Sequence, residues 1–477
     1  MYPRRAQFEP DLPKHRVMIT RVLIRLTKDL IPPKVSSEAY QIDIDVKGLV
    51  CIDAFSHNGA IHALDTLAQA FYVHSRSKQP YTPLAPLEIK DAPFFEHRGL
   101  NLDISRNWIL PVDVLRTIEA MGFNKLNRLH LHASDSQSWP LEIPSLPTLA
   151  KEGAYREDQV WTAKDLEKVQ LHGVYHGVEV YLEIDMPGHT SAIFHAFPDL
   201  ITAYDQRPWD KYAAEPPSGQ LRLDSPDVKS FLETLLGDLL PRIHDFSERF
   251  HLGGDELNRE AYALDPTVRS SNMEVIKPLL QKFFDHVVGL VEAVGMTPYV
   301  WQEMLLDWDL KFPKTTVFQA WRPGALPLIL AKNHLALFGA STSWYLDTGH
   351  GTFLDPLPSN PSSPIKPPYP DWCPPYKNWR QILDYDPLAD IPKNKRHLVL
   401  GGEVHLWGEL TDSVNLDSML WPRAAAAAEM MWRGKGEVCE GTTRRLAEMR
   451  ERLVGLGVRA GVVQMEWGLR NRGGCVL

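Results

Sequence analysis

The sequence predicts an α/β protein in which a small α/β domain precedes a (β/α)8 barrel, the TIM-barrel architecture. From residue 97 onward, about eight short apolar runs alternate with amphipathic or irregular segments, an alternation typical of such a barrel. Before it, the runs AYQIDIDV and GLVCIDA flank a Lys-Gly turn and precede a helical stretch, AIHALDTLAQAFYV. A group of prolines separates the two patterns. We therefore predict an N-terminal α/β domain over residues 1–93 and a barrel with C-terminal helices over residues 94–477.

The elements of the predicted barrel are recognised by their hydrophobic periods. The strand candidates are HRGLNLDI, NRLHLHAS, VEVYLEID, FHLGGDE, TPYVWQE, TTVFQAW, HLALFGAS and HLVLGGEV. The helix candidates are PVDVLRTIEAMG, AKDLEKVQLHGVYHG, PDVKSFLETLLGDLL, VIKPLLQKFFDHVVGLVEAV and LPLILAK, and the Ala-rich PRAAAAAEMMW is expected to pack as a further helix against the barrel. Because a barrel typically needs only roughly 250 residues, long loops must absorb the excess, and the Pro-rich stretch 354–396 is the obvious one.

Composition and charge exclude several classes of protein. The 477 residues are 44% hydrophobic and 23% charged, with 30 Gly and 38 Pro, which is ordinary for a globular chain and excludes collagen, coiled coil and disorder. With 51 Lys and Arg against 60 Asp and Glu, no basic surplus exists for a phosphate backbone, so nucleic acid is not an expected partner. No run approaches the roughly 20 apolar residues of a membrane span.

Residues that follow barrel strands are the candidates for chemistry, because active sites of such barrels lie at the carboxyl ends of the strands. The polar and aromatic residues near these ends are His132, Asp135, Asp185, His189, Asp255, Glu256, Trp301, Glu303, Trp321, Arg322, Trp344, Tyr345, Asp347, Trp407 and Glu409, with Arg98 at the start of the first strand. Indole faces beside carboxylates suit a sugar, whose C–H faces pack on the rings while its hydroxyls bond to oxygens.

Asp255 and Glu256 supply the two groups that cleavage of a glycosidic bond needs, an acid for the leaving oxygen and a stabiliser of developing positive charge. A partly buried site that raises the pKa of Glu256 suits a proton donor, whereas Asp255 must stay ionised. Neighbouring residues of a regular strand point to opposite faces, so the chain must leave ideal β geometry here if both are to reach one sugar.

Three alternatives stay open from the residues alone. Arg98 either binds substrate or neutralises buried Asp103 or Glu96. The pair His130 and His132, with Asp185 and His189 nearby, is compatible with a metal-dependent barrel hydrolase, although no cofactor or metal is expected. The third alternative is a catalytically impaired carbohydrate-binding protein, but the intact Asp255, Glu256 and Tyr345 argue against it.

Seven segments together resemble the glycoside hydrolase family 20 β-N-acetylhexosaminidases of fungal type. They are HRGLNLDISRNW, LHLHASDSQSWPLEI, EIDMPGHT, HLGGDELN, VWQE, WYLD and GGEVHLWGE, and the resemblance extends from about residue 38 to the C-terminus. The resemblance implies a retaining exo-hydrolase of terminal GlcNAc or GalNAc, acting on chitooligosaccharides or glycoconjugates. In that family the substrate's own 2-acetamido oxygen is the nucleophile and an oxazolinium-type intermediate forms, so no enzyme nucleophile is needed.

Carried over residue by residue, the resemblance assigns a role to each candidate. Glu256 is the general acid/base, Asp255 orients the acetamido group, and Tyr345 bonds its carbonyl. Trp301, Trp321 and Trp407 form the walls of the acetamido pocket, and Trp344 is a further substrate-binding residue. Arg98, Asp347 and Glu409 hold the outer hydroxyls, and Asp135 with His189 supports the acid. Trp139 or Trp372 would extend binding along an oligomer, with a structural role as the alternative.

The chain departs from the secreted fungal members of this family in its cysteines. Cys51, Cys373, Cys439 and Cys475 are predicted to be mostly free thiols, and Thr348 stands where the family's partner of Cys373 is expected. Charges also interrupt the apolar runs of the first 26 residues before they reach signal-peptide length. We therefore predict an intracellular enzyme, or a secreted one if the N-terminus is truncated. A homodimer is a family-level expectation.

Overall fold

Eight parallel strands close into a barrel, as predicted from the sequence. The computed structural model describes residues 17–26, 38–74, 77–356 and 365–477, so most of the N-terminal segment considered for a secretion signal lies outside the described residues, as do residues 357–364 of the Pro-rich stretch. The N-terminal part contributes β1 (Arg21–Leu26), β2 (Tyr40–Ile44), β3 (Leu49–Ala54) and β4 (Leu87–Asp91). The barrel strands are β5 (His97–Asp103), β6 (Arg128–His132), β7 (Glu179–Glu183), β8 (Arg249–His251), β9 (Thr297–Trp301), β10 (Val317–Ala320), β11 (Leu335–Phe338) and β12 (Val399–Leu406).

The N-terminal sheet has the order β1-β3-β2-β4 and packs on one helix, α1 (His57–Gln69). β2 and β3 form the predicted antiparallel pair, and Ile42, Ile52 and Ala63 are fully buried between sheet and helix. The Ser56 hydroxyl caps α1 by accepting a hydrogen bond from the backbone N–H of Gly59 at 3.2 Å. The predicted boundary near residue 93 falls between β4 and β5.

Helices cover the outside of the barrel and the end of the chain. They are α2 (Pro111–Phe123), α3 (Pro147–Gly153), α4 (Ala163–Tyr175), α5 (Pro226–His244), α6 (Arg259–Ala263), α7 (Met273–Ala293), α8 (Glu303–Leu306), α9 (Ala325–Ala331), α10 (Ser341–Trp344), α11 (Trp379–Asp384), α12 (Leu416–Leu420), α13 (Arg423–Arg433), α14 (Glu440–Gly455) and α15 (Glu466–Arg470). The Ala-rich helix α13 packs against the barrel as expected, because its small side chains allow close approach to β5 and β12. None of the helices in the described ranges combines the length and apolar character that crossing a bilayer requires.

Arg98 does not reach the carboxyl end of the barrel, so its prediction as a substrate-binding residue is wrong. It lies at the start of β5, is fully buried, and stacks 5.0 Å from the centroid of Trp432 on α13. Its guanidinium donates two hydrogen bonds to Glu38, at 3.0 and 2.7 Å. The alternative interpretation, neutralisation of a buried carboxylate, is the correct one, but the carboxylate belongs to Glu38 in the N-terminal part rather than to Asp103 or Glu96.

The Arg98→Met variant is expected to lose about 3 kcal/mol of unfolding free energy, because removing one partner leaves the other charge buried without its counterion. The matched control is Arg25→Met, since Arg25 pairs with Asp53 on the surface of the N-terminal sheet with 63% of its side chain exposed. Urea unfolding of both variants measures the difference. Equal midpoints for the two variants would contradict the assignment of Arg98 to a buried ion pair.

Candidate active site

A cavity of about 290 Å³ opens at the carboxyl ends of the barrel strands. The residues lining it are Arg106, Ala214, Glu215, Asp255, Glu256, Trp321, Tyr345, Thr352, Phe353, Leu354, Asp371, Trp372, Trp407 and Glu409. Six of the residues chosen from the sequence, Asp255, Glu256, Trp321, Tyr345, Trp407 and Glu409, therefore meet in one cavity.

The turn after β8 brings Asp255 and Glu256 to this same cavity. Gly253, Gly254 and Glu256 have φ values of 67°, 101° and 49°, so the chain leaves strand geometry as the sequence required. At position 253 a Cβ atom would lie 1.7 Å from Asp185 Oδ1, which makes glycine the residue that fits. The two adjacent carboxylates consequently point into one space instead of to opposite faces.

Asp185 holds Asp255 in place. The Asp185 carboxylate accepts a hydrogen bond from the backbone N–H of Gly254 at 2.8 Å, and its side chain bonds to that of Asp255. Burial and the charge of Asp255 raise the pKa of Asp185 well above its usual range, which favours a protonated Asp185 that donates to Asp255. Burial also raises the pKa of Asp255, and the His189 charge and the Asp185 hydrogen bond oppose that rise.

Glu256 contacts His189, which in turn contacts Asp135. His189 Nε2 lies 3.4 Å from Glu256 Oε2, and His189 Nδ1 lies 3.1 Å from Asp135 Oδ1. Burial raises the pKa of Glu256, but the hydrogen bond and positive charge of His189 and the charge of Arg106 outweigh it, so the net shift is downward. The expectation of a raised pKa for Glu256 is wrong, because it considered burial without the positive charge of His189, which lies in the loop after β7.

Arg106 is the arginine that the sequence interpretation missed. It follows the end of β5, and its guanidinium lies 3.2 Å from Asp103, 2.9 Å from Asp135 and 2.6 Å from Glu215. It also stacks 5.1 Å from the centroid of the Trp407 ring. Since Arg106 lines the cavity at the strand's carboxyl end, the positional argument applied to the other strands would have selected it instead of Arg98.

Aromatic rings form the walls of the cavity. Trp321 and Tyr345 stack with centroids 6.3 Å apart, and Tyr345 lies 6.2 Å from Trp407. Trp301 packs behind Trp407 at 6.0 Å, is fully buried, and donates its Nε1–H to Glu183 at 2.7 Å. Trp301 thus supports the wall from behind, and its prediction as a residue that itself lines the pocket is wrong.

Two predicted site residues of the WYLD segment, Trp344 and Asp347, lie outside the cavity lining. The Trp344 side chain is fully buried, packs on Phe338 and donates its Nε1–H to the carbonyl of Ile382, so its prediction as a substrate-binding residue is wrong. The turn of α10 directs Trp344 to the core and the next residue, Tyr345, to the cavity. Asp347 accepts a hydrogen bond from the Trp407 backbone N–H at 3.3 Å, and burial raises the pKa of Asp347 to about 7. Its role with sugar hydroxyls stays a prediction.

Loop residues complete the rim. Trp372 is 59% exposed and packs edge-on against Trp321 at 6.0 Å, so an outer binding role for Trp372 stays a prediction. Trp139 is buried and donates its Nε1–H to the carbonyl of Leu141, so of the two alternatives for Trp139 the structural role is the correct one. Glu215 and Asp371 were not predicted, because they come from long loops without a periodic pattern.

The histidines that suggested a metal centre are engaged with carboxylates. His132 bonds to Glu183 and Asp135, and His189 bonds to Asp135. These groups are close enough to hold an ion, but both ring nitrogens of His132 and Nδ1 of His189 already face carboxylate oxygens at hydrogen-bond distance. The pairs therefore have a structural explanation that needs no metal.

Comparison with known proteins decides the family. The model of "Glycosyl hydrolase family 20, catalytic domain" matches residues 95–435. A β-hexosaminidase of Arthroderma benhamiae is 48% identical over 494 residues, covering 100% of this chain and 81% of the relative. The chain belongs to glycosyl hydrolase family 20. It is a glycoside hydrolase of the β-N-acetylhexosaminidase type.

Other family members agree with this assignment at greater distance. A chitooligosaccharidolytic β-N-acetylglucosaminidase of Ostrinia furnacalis is 30% identical, covering 92% of this chain and 75% of the relative. The crystal structure of Flavobacterium johnsoniae chitobiase superposes with a TM-score of 0.74 at 25% identity, covering 92% of this chain but only 63% of that protein. The Vibrio harveyi GH20 exo-β-N-acetylglucosaminidase shares the fold with a TM-score of 0.76 at 22% identity, covering 93% of this chain and 70% of that one.

Proposed function

We propose that this protein is a retaining exo-β-N-acetylhexosaminidase that removes terminal GlcNAc or GalNAc from the non-reducing end of chitooligosaccharides or glycoconjugates. The substrate's acetamido oxygen attacks the anomeric carbon while Glu256 gives its proton to the leaving oxygen. Asp255 accepts the acetamido N–H and balances the positive charge of the oxazolinium ring. Glu256 then takes a proton from the water that opens the ring, so the anomeric configuration is retained.

One observation carries this proposal, the convergence of Asp255 and Glu256 on a cavity walled by Trp321, Tyr345 and Trp407. An indole and phenol enclosure excludes water from the acetamido group and aligns it for intramolecular attack. Arg106 and Glu409, which also line the cavity, supply a cation and an acceptor for the outer hydroxyls.

The Ostrinia furnacalis relative is named for chitooligosaccharides, which supports oligomers of GlcNAc as one substrate class. The exposed Trp372 at the rim offers a face for a second sugar. The assay determines the preference between GlcNAc and GalNAc, since Glu409 suits a hydroxyl of either C4 epimer.

The test is hydrolysis of p-nitrophenyl β-N-acetylglucosaminide and β-N-acetylgalactosaminide beside the β-glucoside, which lacks the acetamido group. We expect turnover of the first two and none of the glucoside, with proton NMR detecting the β-anomer as the first product. N-trifluoroacetyl substrates should react more slowly, because fluorine weakens the acetamido nucleophile. Binding of GlcNAc without turnover would favour the catalytically impaired alternative, and an α-anomer first product would contradict retention.

The pH profile of kcat/KM is expected to decline as pH rises through the lowered pKa of Glu256, because the acid must be protonated in the free enzyme. His189→Asn removes the charge that lowers this pKa, so the alkaline limb should move to higher pH. Asparagine suits the left-handed backbone at this position, where φ is 53°. An alkaline limb unchanged by His189→Asn would contradict the control of Glu256 by His189.

Location and assembly stay predictions. We propose an intracellular enzyme with reduced thiols, supported by free Cys51, Cys373, Cys439 and Cys475. Fractionation of the producing cells, with N-terminal sequencing of the native protein, tests it. Recovery of a longer protein from the medium would overturn it. A homodimer is tested by sedimentation.

A further inference from the structure

The interior of the barrel holds two buried carboxylates that the proposed reaction does not use directly, Glu403 on β12 and Glu183 at the end of β7. Glu403 accepts hydrogen bonds from His97, His130, Tyr181 and Gln319. Glu183 accepts hydrogen bonds from His132 Nδ1 at 2.6 Å and Trp301 Nε1 at 2.7 Å. His130 lies between the carboxylates, 3.1 Å from each.

Glu183 is connected to the cavity through His132, whereas Glu403 reaches the same series through His130 and Glu183. His132, whose Nδ1–H bonds to Glu183, presents its Nε2 to Asp135 Oδ2 at 2.8 Å. Asp135 Oδ1 lies 3.1 Å from His189 Nδ1, and His189 Nε2 lies 3.4 Å from Glu256 Oε2. A continuous series of contacts therefore runs from Glu183 to the carboxyl group at the reacting bond.

The geometry of this series implies alternating charges. Both ring nitrogens of His132 face carboxylate oxygens, so both carry hydrogens, and the same holds for His189. Asp135 is thereby held between two imidazolium rings. Without Glu183, a neutral His132 would turn a nitrogen lone pair or a weaker donor toward Asp135.

Other charged groups also face these residues. Arg106 lies 3.3 Å from His132 Nε2 and 2.9 Å from Asp135, and Asp103 and Glu215 pair with Arg106 from the other side. On β8, His251 Nδ1 lies 3.1 Å from Glu183 but accepts a hydrogen bond from the backbone N–H of Gly253.

Asp185 has a carboxyl oxygen within 4.8 Å of His132 and Glu183, and the charge of Asp255 raises the pKa of His189. Arg106 thus competes with His132 for Asp135, but Arg106 does not replace the hydrogen bond between Glu183 and His132.

The directions in which the pKa values of these residues shift agree with this arrangement. Burial lowers the pKa of His132, but the charge of Glu183 and the bonds to Asp135 and Glu183 hold it well above the usual range. Burial raises the pKa of Glu183, yet His132 and His251 hold it well below its usual value. For His189, Asp135 outweighs burial and raises the pKa well above its usual value.

We propose that Glu183 is a positioning residue for the catalytic acid, holding His132 as an imidazolium so that Asp135 and His189 keep Glu256 in its working orientation and protonation range. The inference rests on the proposed role of Glu256 as the acid. Glu183 touches no reacting atom, so it acts entirely through its neighbours.

Glu183→Gln and Glu403→Gln form a matched pair for the test, because both carboxylates are fully buried and both contact His130. Each variant is assayed for kcat, KM and the pH profile of kcat/KM, with thermal unfolding as a measure of folding. For Glu183→Gln we expect kcat to fall about 10 to 100-fold with little change in KM.

We also expect the alkaline limb of kcat/KM to move to higher pH in Glu183→Gln. A neutral His132 leaves the negative charge of Asp135 less balanced, and the charge of Asp135 raises the pKa of Glu256. Glu403→Gln should leave this limb at the parent's position, whatever its effect on unfolding. Trp301→Phe, which removes the other hydrogen bond to Glu183, should raise KM without moving the limb.

The outcomes separate the two proposals. An inactive parent, or full activity of Glu256→Gln on a disaccharide, would contradict the proposed function. An active parent whose alkaline limb stays in place in Glu183→Gln, or moves equally in Glu403→Gln, would overturn the role of Glu183 alone. If Glu183→Gln fails to fold, His132→Asn decides, because it breaks the connection and leaves both buried carboxylates in place, and an unmoved limb in that variant overturns the proposal.

Discussion

The Glu256→Gln variant is expected to hydrolyse N,N'-diacetylchitobiose about 10² to 10⁴-fold more slowly than the parent enzyme. Glutamine keeps the size of the side chain but has no proton to give to the leaving oxygen. Because 34% of the Glu256 side chain is exposed, the substitution should leave folding intact. Release of GlcNAc, measured by chromatography at several substrate concentrations, gives kcat and KM.

The dependence of the rate loss on the leaving group distinguishes loss of the acid catalyst from general damage to the active site. A p-nitrophenolate leaves with little protonation, so Glu256→Gln should lose less activity on the p-nitrophenyl glycoside than on the disaccharide. A matched control is Glu260→Gln, four positions along the chain on α6 and outside the cavity lining, which should behave as the parent. Equal losses on both substrates would contradict a role of Glu256 as proton donor.

The positions of Glu256, Asp255, Trp321 and Trp407 were predictable because each follows an apolar run that becomes a barrel strand. In a closed parallel barrel the ends of all the strands meet at one mouth, so position along the chain converts directly into position in space. The same geometry explains why the eight barrel strands could be located from hydrophobic period alone.

The directions of side chains and the residues contributed by loops were harder to predict from the sequence than the strands. Trp344 and Tyr345 are adjacent, and only the turn of α10 decides which of them faces the cavity. Arg98 lies at the start of the same strand that Arg106 follows, and the error was to choose the residue at the start. Glu215 reaches Arg106 from a loop more than a hundred residues away, a contact without any periodic signal in the sequence.

The protonation of the site was the least predictable property. Burial alone suggested a raised pKa for Glu256, but the sign of the shift depends on His189, which comes from the loop after β7. The carboxylates in the barrel interior were equally hidden, because Glu183 and Glu403 each occupy a position at which the strand pattern predicts an apolar side chain.

The Asp255→Asn variant is expected to lose about 10² to 10³-fold in kcat on N-acetylglucosaminides, as removal of one preorganised electrostatic group typically does. Asparagine retains the shape of the side chain but not its negative charge, so it does not balance the cationic ring formed from the acetamido group. Its amide also presents a donor where the substrate N–H requires an acceptor. Single-turnover rates on the p-nitrophenyl substrate measure the loss at the ring-forming step.

Asp185→Asn is the matched control, because Asp185 acts as a neutral donor to Asp255 and as an acceptor for the Gly254 N–H. An asparagine at 185 offers both an N–H donor and a carbonyl oxygen, so this variant should retain activity within about tenfold of the parent. This pair of isosteric substitutions therefore separates the effect of the negative charge of Asp255 from the effect of the hydrogen that Asp185 donates. Loss in Asp185→Asn as severe as in Asp255→Asn would show that Asp185 carries the negative charge instead, and the roles of the two carboxyl groups would have to be exchanged.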